Sequence, residues 1–79
     1  MIIQVLGAGC PKCRMLEEQA RLALADANID AEIVKVTDID AIMEMGVMMT
    51  PALAIDGKVV SSGKVLKKDQ IIPMLQEAE

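Results

Sequence analysis

The stretch IIQVLGAGCPKC, from Ile2 to Cys13, places an apolar run directly before a pair of cysteines. Ile2 to Leu6 are nearly all apolar, as in a buried central strand. From Pro11 to about Asn28, apolar residues recur at three- and four-residue steps, which predicts a helix. The pair Cys10 and Cys13 therefore lies where a strand ends and a helix begins.

The composition limits the chemistry that this chain can perform. Its 79 residues allow one domain, spanning 1–79, because a chain this short cannot support two cores. It contains no Phe, Tyr, Trp or His, so the usual general base and the commonest zinc ligand are absent. A net charge of −4 argues against nucleic-acid partners.

The same sequence indicates a cytoplasmic protein. No apolar run is long enough to cross a bilayer, so no membrane association is expected. The start MIIQVLGAG lacks the basic region and cleavage site of a signal peptide. In the cytosol, a lone cysteine pair is more often catalytic or metal-binding than structural.

The middle of the chain predicts a second strand and a second helix. The segment Ala31 to Val36 is β-branched and reads as a strand. Asp38 is a suitable N-cap for a short helix that Gly46 would end. Because a helix connects the first two strands, these strands should be parallel.

The second half predicts a hairpin and a final helix. Ala52 to Ile55 and Lys58 to Ser61 are short apolar runs, and Asp56-Gly57 between them suits a type I′ turn. After Gly63 the pattern is helical, and Pro73 fits only if that helix begins near Asp69 or is bent. The order is βαβαββα, an α/β fold with a four-stranded mixed sheet and helices on both faces.

The start of the first helix favours an ionised Cys10. Pro11 suits the first helical position, which leaves Cys10 as the N-cap among unsatisfied backbone N–H groups. The helix dipole, Lys12 and Arg14 add positive charge there. In such settings a cysteine pKa can fall from about 8.5 to roughly 3.5–7.5.

Cys13 is expected to be the buried, protonated member of the pair. It falls on the same helical side as Leu16 and Ala20. Cysteines three residues apart at a helix start can bring their Cα atoms within about 5–6 Å, which suits a disulfide. Closing so small a loop adds little stability, so redox exchange is the better interpretation. Cys10 would attack a partner disulfide, and Cys13 would then release the partner.

Two other uses of the pair stay open. A mononuclear zinc site needs about four ligands, which only a dimer sharing two pairs could supply, so we expect no metal and no cofactor. A Cu(I) carrier is an alternative because such carriers also have a CxxC at a helix start, and methionine suits Cu(I). Those domains, however, follow a βαββαβ order. A non-catalytic binding module is a third possibility.

The combination of VLGAGCPKC with GVMMTPALAIDGKVVSSGKV resembles the thioredoxin fold. It is most similar to the small, glutaredoxin-sized thioredoxin-like proteins with a redox-active disulfide, and the similarity runs from Ile2 to the last helix. The resemblance implies a thiol-disulfide oxidoreductase that carries electrons to protein disulfides. It also implies a cis peptide bond before Pro51, which would pack beside the disulfide, and a Thr50 backbone that pairs with an extended substrate.

Several positions depart from better-known relatives. Gly9 stands where thioredoxins usually have Trp, and Lys12 where glutaredoxins commonly have an aromatic residue. The first strand lacks the buried acid that assists proton transfer in thioredoxins, so the Cys13 proton needs another route. Residues 61–64 do not match the glutathione-contacting pattern, which puts glutathione in doubt. A protein dithiol or a thioredoxin reductase-like donor is expected instead.

The segment before Pro51 predicts a docking surface. Met48 and Met49 precede Thr50 and could form a soft apolar surface that accepts several partners. We assign substrate docking to Met49, Thr50, Pro51 and Gly63. We expect a monomer, although the edge strand after the Asp-Gly turn could pair with a neighbour.

Overall fold

The computed structural model describes residues 1–9 and 11–78, so that Cys10 and Glu79 lie outside the described residues. Within this part of the chain, four strands and three helices follow the predicted order. They are β1 (Ile2–Leu6), α1 (Pro11–Ala27), β2 (Glu32–Val36), α2 (Ile39–Glu44), β3 (Ala52–Ile55), β4 (Lys58–Ser62) and α3 (Lys68–Ala78). The predicted α/β fold is confirmed.

The four strands form one mixed sheet in the order β2-β1-β3-β4. β1 is parallel to β2, with Ile3 opposite Ile33, and antiparallel to β3, with Ile3 opposite Ile55. β3 and β4 are antiparallel. The apolar strands β1 and β3 are therefore central, and β4 is an edge strand as expected.

Local signals set the ends of the helices. α1 begins at Pro11, and the chain leaves it at Asn28, whose φ of 56° is not helical. The side chain of Asp38 caps α2 by accepting a hydrogen bond from the Asp40 N–H at 3.2 Å. After α2 the backbone reverses at Gly46, with a φ of 81°. These bounds agree with the predicted ones to within about a residue.

The hairpin between β3 and β4 turns where the sequence predicts. Asp56 and Gly57 both have positive φ, 50° and 84°, as a type I′ turn requires. The Asp56 carboxylate also accepts a hydrogen bond from the Ile2 N–H at 2.8 Å, which ties the turn to β1. β4 extends to Ser62, one residue further than expected.

α3 begins at Lys68, one residue before the expected start, and Pro73 lies inside the helix. The earlier start follows from the capping of the first turn. The Lys67 carbonyl accepts from the Gln70 and Ile71 N–H groups, while the Gln70 side chain accepts from the Lys67 N–H at 3.0 Å. Pro73 donates no hydrogen bond, and it lies on the exposed side of α3.

The sheet buries a different core on each face. The larger core packs β1 and β3 against α1 and α3 and includes Ile3, Val5, Leu16, Leu53, Ile71 and Leu75. The smaller core lies under α2 and consists of Leu6, Ile42, Val47, Ala52 and Ala54. Across the described residues, no helix is long and apolar enough to cross a membrane.

Candidate active site

Cys13 lies in the first turn of α1 and is only 6% exposed, as its predicted position on the buried side requires. The loop after β1 passes directly against it at Gly7. A Cβ atom at Gly7 would overlap the Cys13 Sγ, and it would lie 3.3 Å from the Cys13 Cβ and 3.8 Å from the Thr50 Cβ. Only glycine leaves space there, so Gly7 lets Cys13 and Thr50 approach the end of β1 together.

Of the other residues that the sequence predicts for this turn, the structure describes Pro11 and Lys12. Pro11 is the first residue of α1, as predicted, and both Pro11 and Lys12 are exposed. Cys10 lies outside the described residues, so its N-cap position and its ionisation stay predictions. The pKa-tuning roles of Pro11 and Lys12 stay predictions with it.

The structure brings together the residues that we assigned to docking. The Thr50–Pro51 peptide bond is cis, the isomer that the resemblance implied. Pro51 is fully buried and Thr50 is exposed. The Pro51 carbonyl accepts a hydrogen bond from the Gly63 N–H at 2.8 Å, and Met49 packs against Gly63 so closely that a Cβ there would lie 3.2 Å from the Met49 Cβ. Their role in docking stays a prediction.

An apolar groove of about 630 Å³ opens beside these residues. Met48, which is 96% exposed, lines it together with Ala8 of the loop after β1 and Thr50. Ile39 and Met43 of α2 form its other wall, and both are exposed. Of the predicted methionine pair, Met48 lines the groove and Met49 packs against Gly63, while α2 adds two exposed side chains to the groove. Its short pattern did not predict this.

A second cavity, of about 250 Å³, has Cys13 in its lining. Its lining includes Cys13, Arg14 and Glu17 of α1, together with Lys35 of β2. The Glu17 side chain is 13% exposed, and one carboxylate oxygen lies 3.2 Å from the Lys35 Nζ. The other oxygen accepts from Arg21 at 2.8 Å, which confirms the predicted pair of Glu17 with Arg21.

This charged cavity was missed by the sequence interpretation. Hydrogen bonds from Arg21 and Lys35 hold the pKa of Glu17 below its ordinary value, although partial burial opposes them. Glu17 follows Cys13 by four residues, a spacing that places both on one helical face and could have indicated the contact. The approach of Lys35 depends on the register in which β2 pairs with β1, which the sequence does not show.

The sequence of this chain is similar to sequences of known proteins. The sequence pattern of the thioredoxin domain matches residues 1–76. The chain belongs to the thioredoxin family. It is 43% identical over 75 residues to a thioredoxin of Methanothermobacter thermautotrophicus, covering 95% of this chain and 97% of that protein. It is 42% identical over 71 residues to a thioredoxin of Methanocaldococcus jannaschii, covering 90% and 81% respectively.

Membership of the thioredoxin family confirms the resemblance seen in the sequence and the general class of thiol-disulfide oxidoreductases. The order of elements also separates this chain from the copper carriers considered above. In the part of the chain that the structure describes, α2 follows β2, whereas in those domains a third strand follows the second directly.

Proposed function

We propose that this thioredoxin-family protein reduces or exchanges protein disulfides with Cys10 as the attacking thiolate and Cys13 as the resolving thiol. The observation that carries the proposal is the junction at Gly7. Cys13 and Thr50 both pack against this one glycine, so a buried cysteine lies beside the cis Thr50–Pro51 bond. This arrangement supports a resolving role for Cys13 beside a surface where a partner segment would lie.

The reaction proceeds in two exchanges. The Cys10 thiolate attacks one sulfur of the partner disulfide, and the other partner sulfur leaves as a thiolate. The Cys13 thiolate then attacks the Cys10 sulfur of the mixed disulfide. The bond between Cys10 and Cys13 forms, the bond from Cys10 to the partner breaks, and the second partner sulfur leaves. The partner gains two electrons, and the protein ends as a disulfide.

The docking surface runs along the segment before β3. Thr50 is exposed and its neighbour Pro51 is buried, so the segment is anchored while its outer edge faces solvent. The backbone of Thr50 would pair with an extended partner segment. Met48 and Met49 would cover the apolar side chains of that segment, and their flexibility suits partners of different sequence.

A dithiol partner closes the cycle. Reduction of the Cys10–Cys13 disulfide requires an electron donor, for which we propose a thioredoxin reductase-like protein. The lack of a glutathione-contacting pattern at residues 61–64 argues against glutathione as that donor. We place the exchange in the cytoplasm and propose that the protein acts as a monomer. The direction of electron flow depends on the potential of the pair relative to that of the cell.

Trapping of mixed disulfides tests the assigned roles. Cys13→Ser should hold a covalent partner on Cys10, because the second exchange is blocked. Cys10→Ser should hold none, and the unmodified protein should reduce insulin disulfides in the presence of a dithiol. The trapped species are counted by mass spectrometry of the intact protein after incubation with oxidised insulin. Equal trapping by both variants would contradict the roles of the two cysteines.

A further inference from the structure

The proposed resolving step leaves one proton without an assigned route. Cys13 attacks as a thiolate, so its thiol must lose a proton first. β1 supplies no acid that could take this proton, since its sequence is IIQVL. The charged groups that line the cavity beside Cys13 are therefore the ones that can act on its ionisation.

We propose that the cations of this cavity, Lys35 above all, favour the Cys13 thiolate electrostatically, so that no carboxylate base is needed. The inference rests on the proposed function, since it concerns the resolving step. Arg14 and Lys35 line the cavity with Cys13, and Glu17 is the one acid among its described lining residues. Two positively charged side chains and one negatively charged side chain therefore line the cavity together with Cys13.

The charges come from both elements that pack around the cavity. α1 contributes Arg14 and Glu17, and β2 contributes Lys35. The described loop residues Gly7 and Gly9 carry no charge. The remaining lining side chains, of Val5 and Thr37, are neutral in this pH range. Arg21 reaches the cluster only through Glu17.

Glu17 is poorly suited to be the base. Both of its oxygens are engaged by cations, at 2.8 Å and 3.2 Å. The same contacts lower its pKa, which weakens it as a proton acceptor. Its negative charge instead partly offsets the positive charge of Lys35 at the cavity. The thiol proton passes to solvent water.

The resolving step can be measured alone with dithiobis-nitrobenzoate as the probe. The reduced protein releases one coloured thiolate when Cys10 attacks the probe. It releases a second when Cys13 attacks the mixed disulfide. With excess probe, the first release depends on probe concentration, whereas the second is first-order and independent of it. Stopped-flow absorbance over a range of pH then gives the rate and pH midpoint of the Cys13 step.

Two neutral variants separate the proposed electrostatic effect from a carboxylate base. Lys35→Met should slow the second release about two- to fivefold at neutral pH and move its midpoint to higher pH. Glu17→Gln should leave the release unchanged or make it faster, because it removes negative charge. Lys35→Arg, which keeps the charge, should restore the unmodified rate. The matched control Lys58→Met, which removes a lysine from a different cavity, should change nothing.

The outcomes distinguish the inference from the proposed function. An absent second release would show that Cys13 does not resolve, which contradicts the proposed function itself. A normal second release that Lys35→Met leaves unchanged, or that Glu17→Gln slows, would overturn the inference alone. High salt supplies a further readout, since screening should reduce the difference between the unmodified protein and Lys35→Met. Thermal melts of each variant exclude a loss of fold as the cause.

Discussion

The two faces of the sheet are covered very differently. On one face, Leu53 and Ile55 of β3 pack under α1 and α3. On the other face, the alternate residues Ala52 and Ala54 lie under the six-residue α2. Because side chains alternate along a strand, one four-residue segment supplies large residues to the first face and small ones to the second.

This difference assigns separate tasks to the two faces. The face under α1 and α3 buries most of the large side chains, which makes it the main source of stability. The face under α2 leaves Ile39, Met43 and Met48 exposed around the groove. Because the six-residue α2 covers little of this face, the face contributes less stability and leaves apolar surface free for a partner.

The largest expected effect comes from shortening a side chain in the larger core. Leu16→Ala should lower the free energy of unfolding by about 3–5 kcal/mol, because the fully buried Leu16 leaves a cavity between α1 and the sheet. Ile42→Ala in α2 should cost about 2–3 kcal/mol, since Ile42 belongs to the smaller core. Urea denaturation followed by circular dichroism measures both. Equal costs would mean that the two faces stabilise the fold alike.

Gly7 lies against both Cys13 of α1 and Thr50 before β3, and placing a side chain there should have the next largest effect. In Gly7→Ala the new methyl overlaps the Cys13 Sγ, so α1 or the loop must shift. We expect a loss of about 1–3 kcal/mol in stability and a slower resolving step. The adjacent exposed Ala8→Ser should stay within about 0.5 kcal/mol. A Gly7→Ala protein with unchanged stability and thiol kinetics would show that the junction is not tight.

The elements were predictable because local signals and burial agree in them. β1 and β3 are apolar runs, Asp56-Gly57 adopts the positive φ values that its turn type needs, and Asp38 caps α2. Cys13 was placed on the buried side by helical spacing alone. In each case, neighbouring residues contain the whole signal.

What the sequence did not predict depends on contacts between distant segments. Lys35 reaches Glu17 because β2 pairs with β1 in one register, and no local pattern indicates that register. The demand for glycine at position 7 comes from the sulfur of Cys13 across the turn. Pro73 is tolerated within α3 because it faces solvent, which spacing did not predict.

The groove on the face under α2 should affect partner binding more than stability. Met43→Gln adds polarity to an exposed position of the groove, so unfolding free energy should change by no more than about 0.5 kcal/mol. In insulin reduction, KM should rise about three- to tenfold while kcat stays constant. The control Met15→Gln changes an exposed methionine of α1 outside this groove and should leave KM unaltered. A similar rise in both variants would remove the groove from partner binding.

The smallest expected effect is the contribution of Glu17 to the stability of the face under α1 and α3. Because its ion pairs lower the folded-state pKa below the ordinary 4.5, the unfolded chain binds the proton more readily. The stabilisation is therefore complete above that ordinary value and is lost as pH falls through the lower folded value. At pH 7, Glu17→Gln should cost about 0.5–1 kcal/mol, since both cations are largely exposed. The difference from the unmodified protein should vanish in acid, while Glu18→Gln, at an exposed neighbouring position, should show none at either pH. A cost for Glu17→Gln that persists in acid would mean that Glu17 stabilises α1 by packing and not by charge.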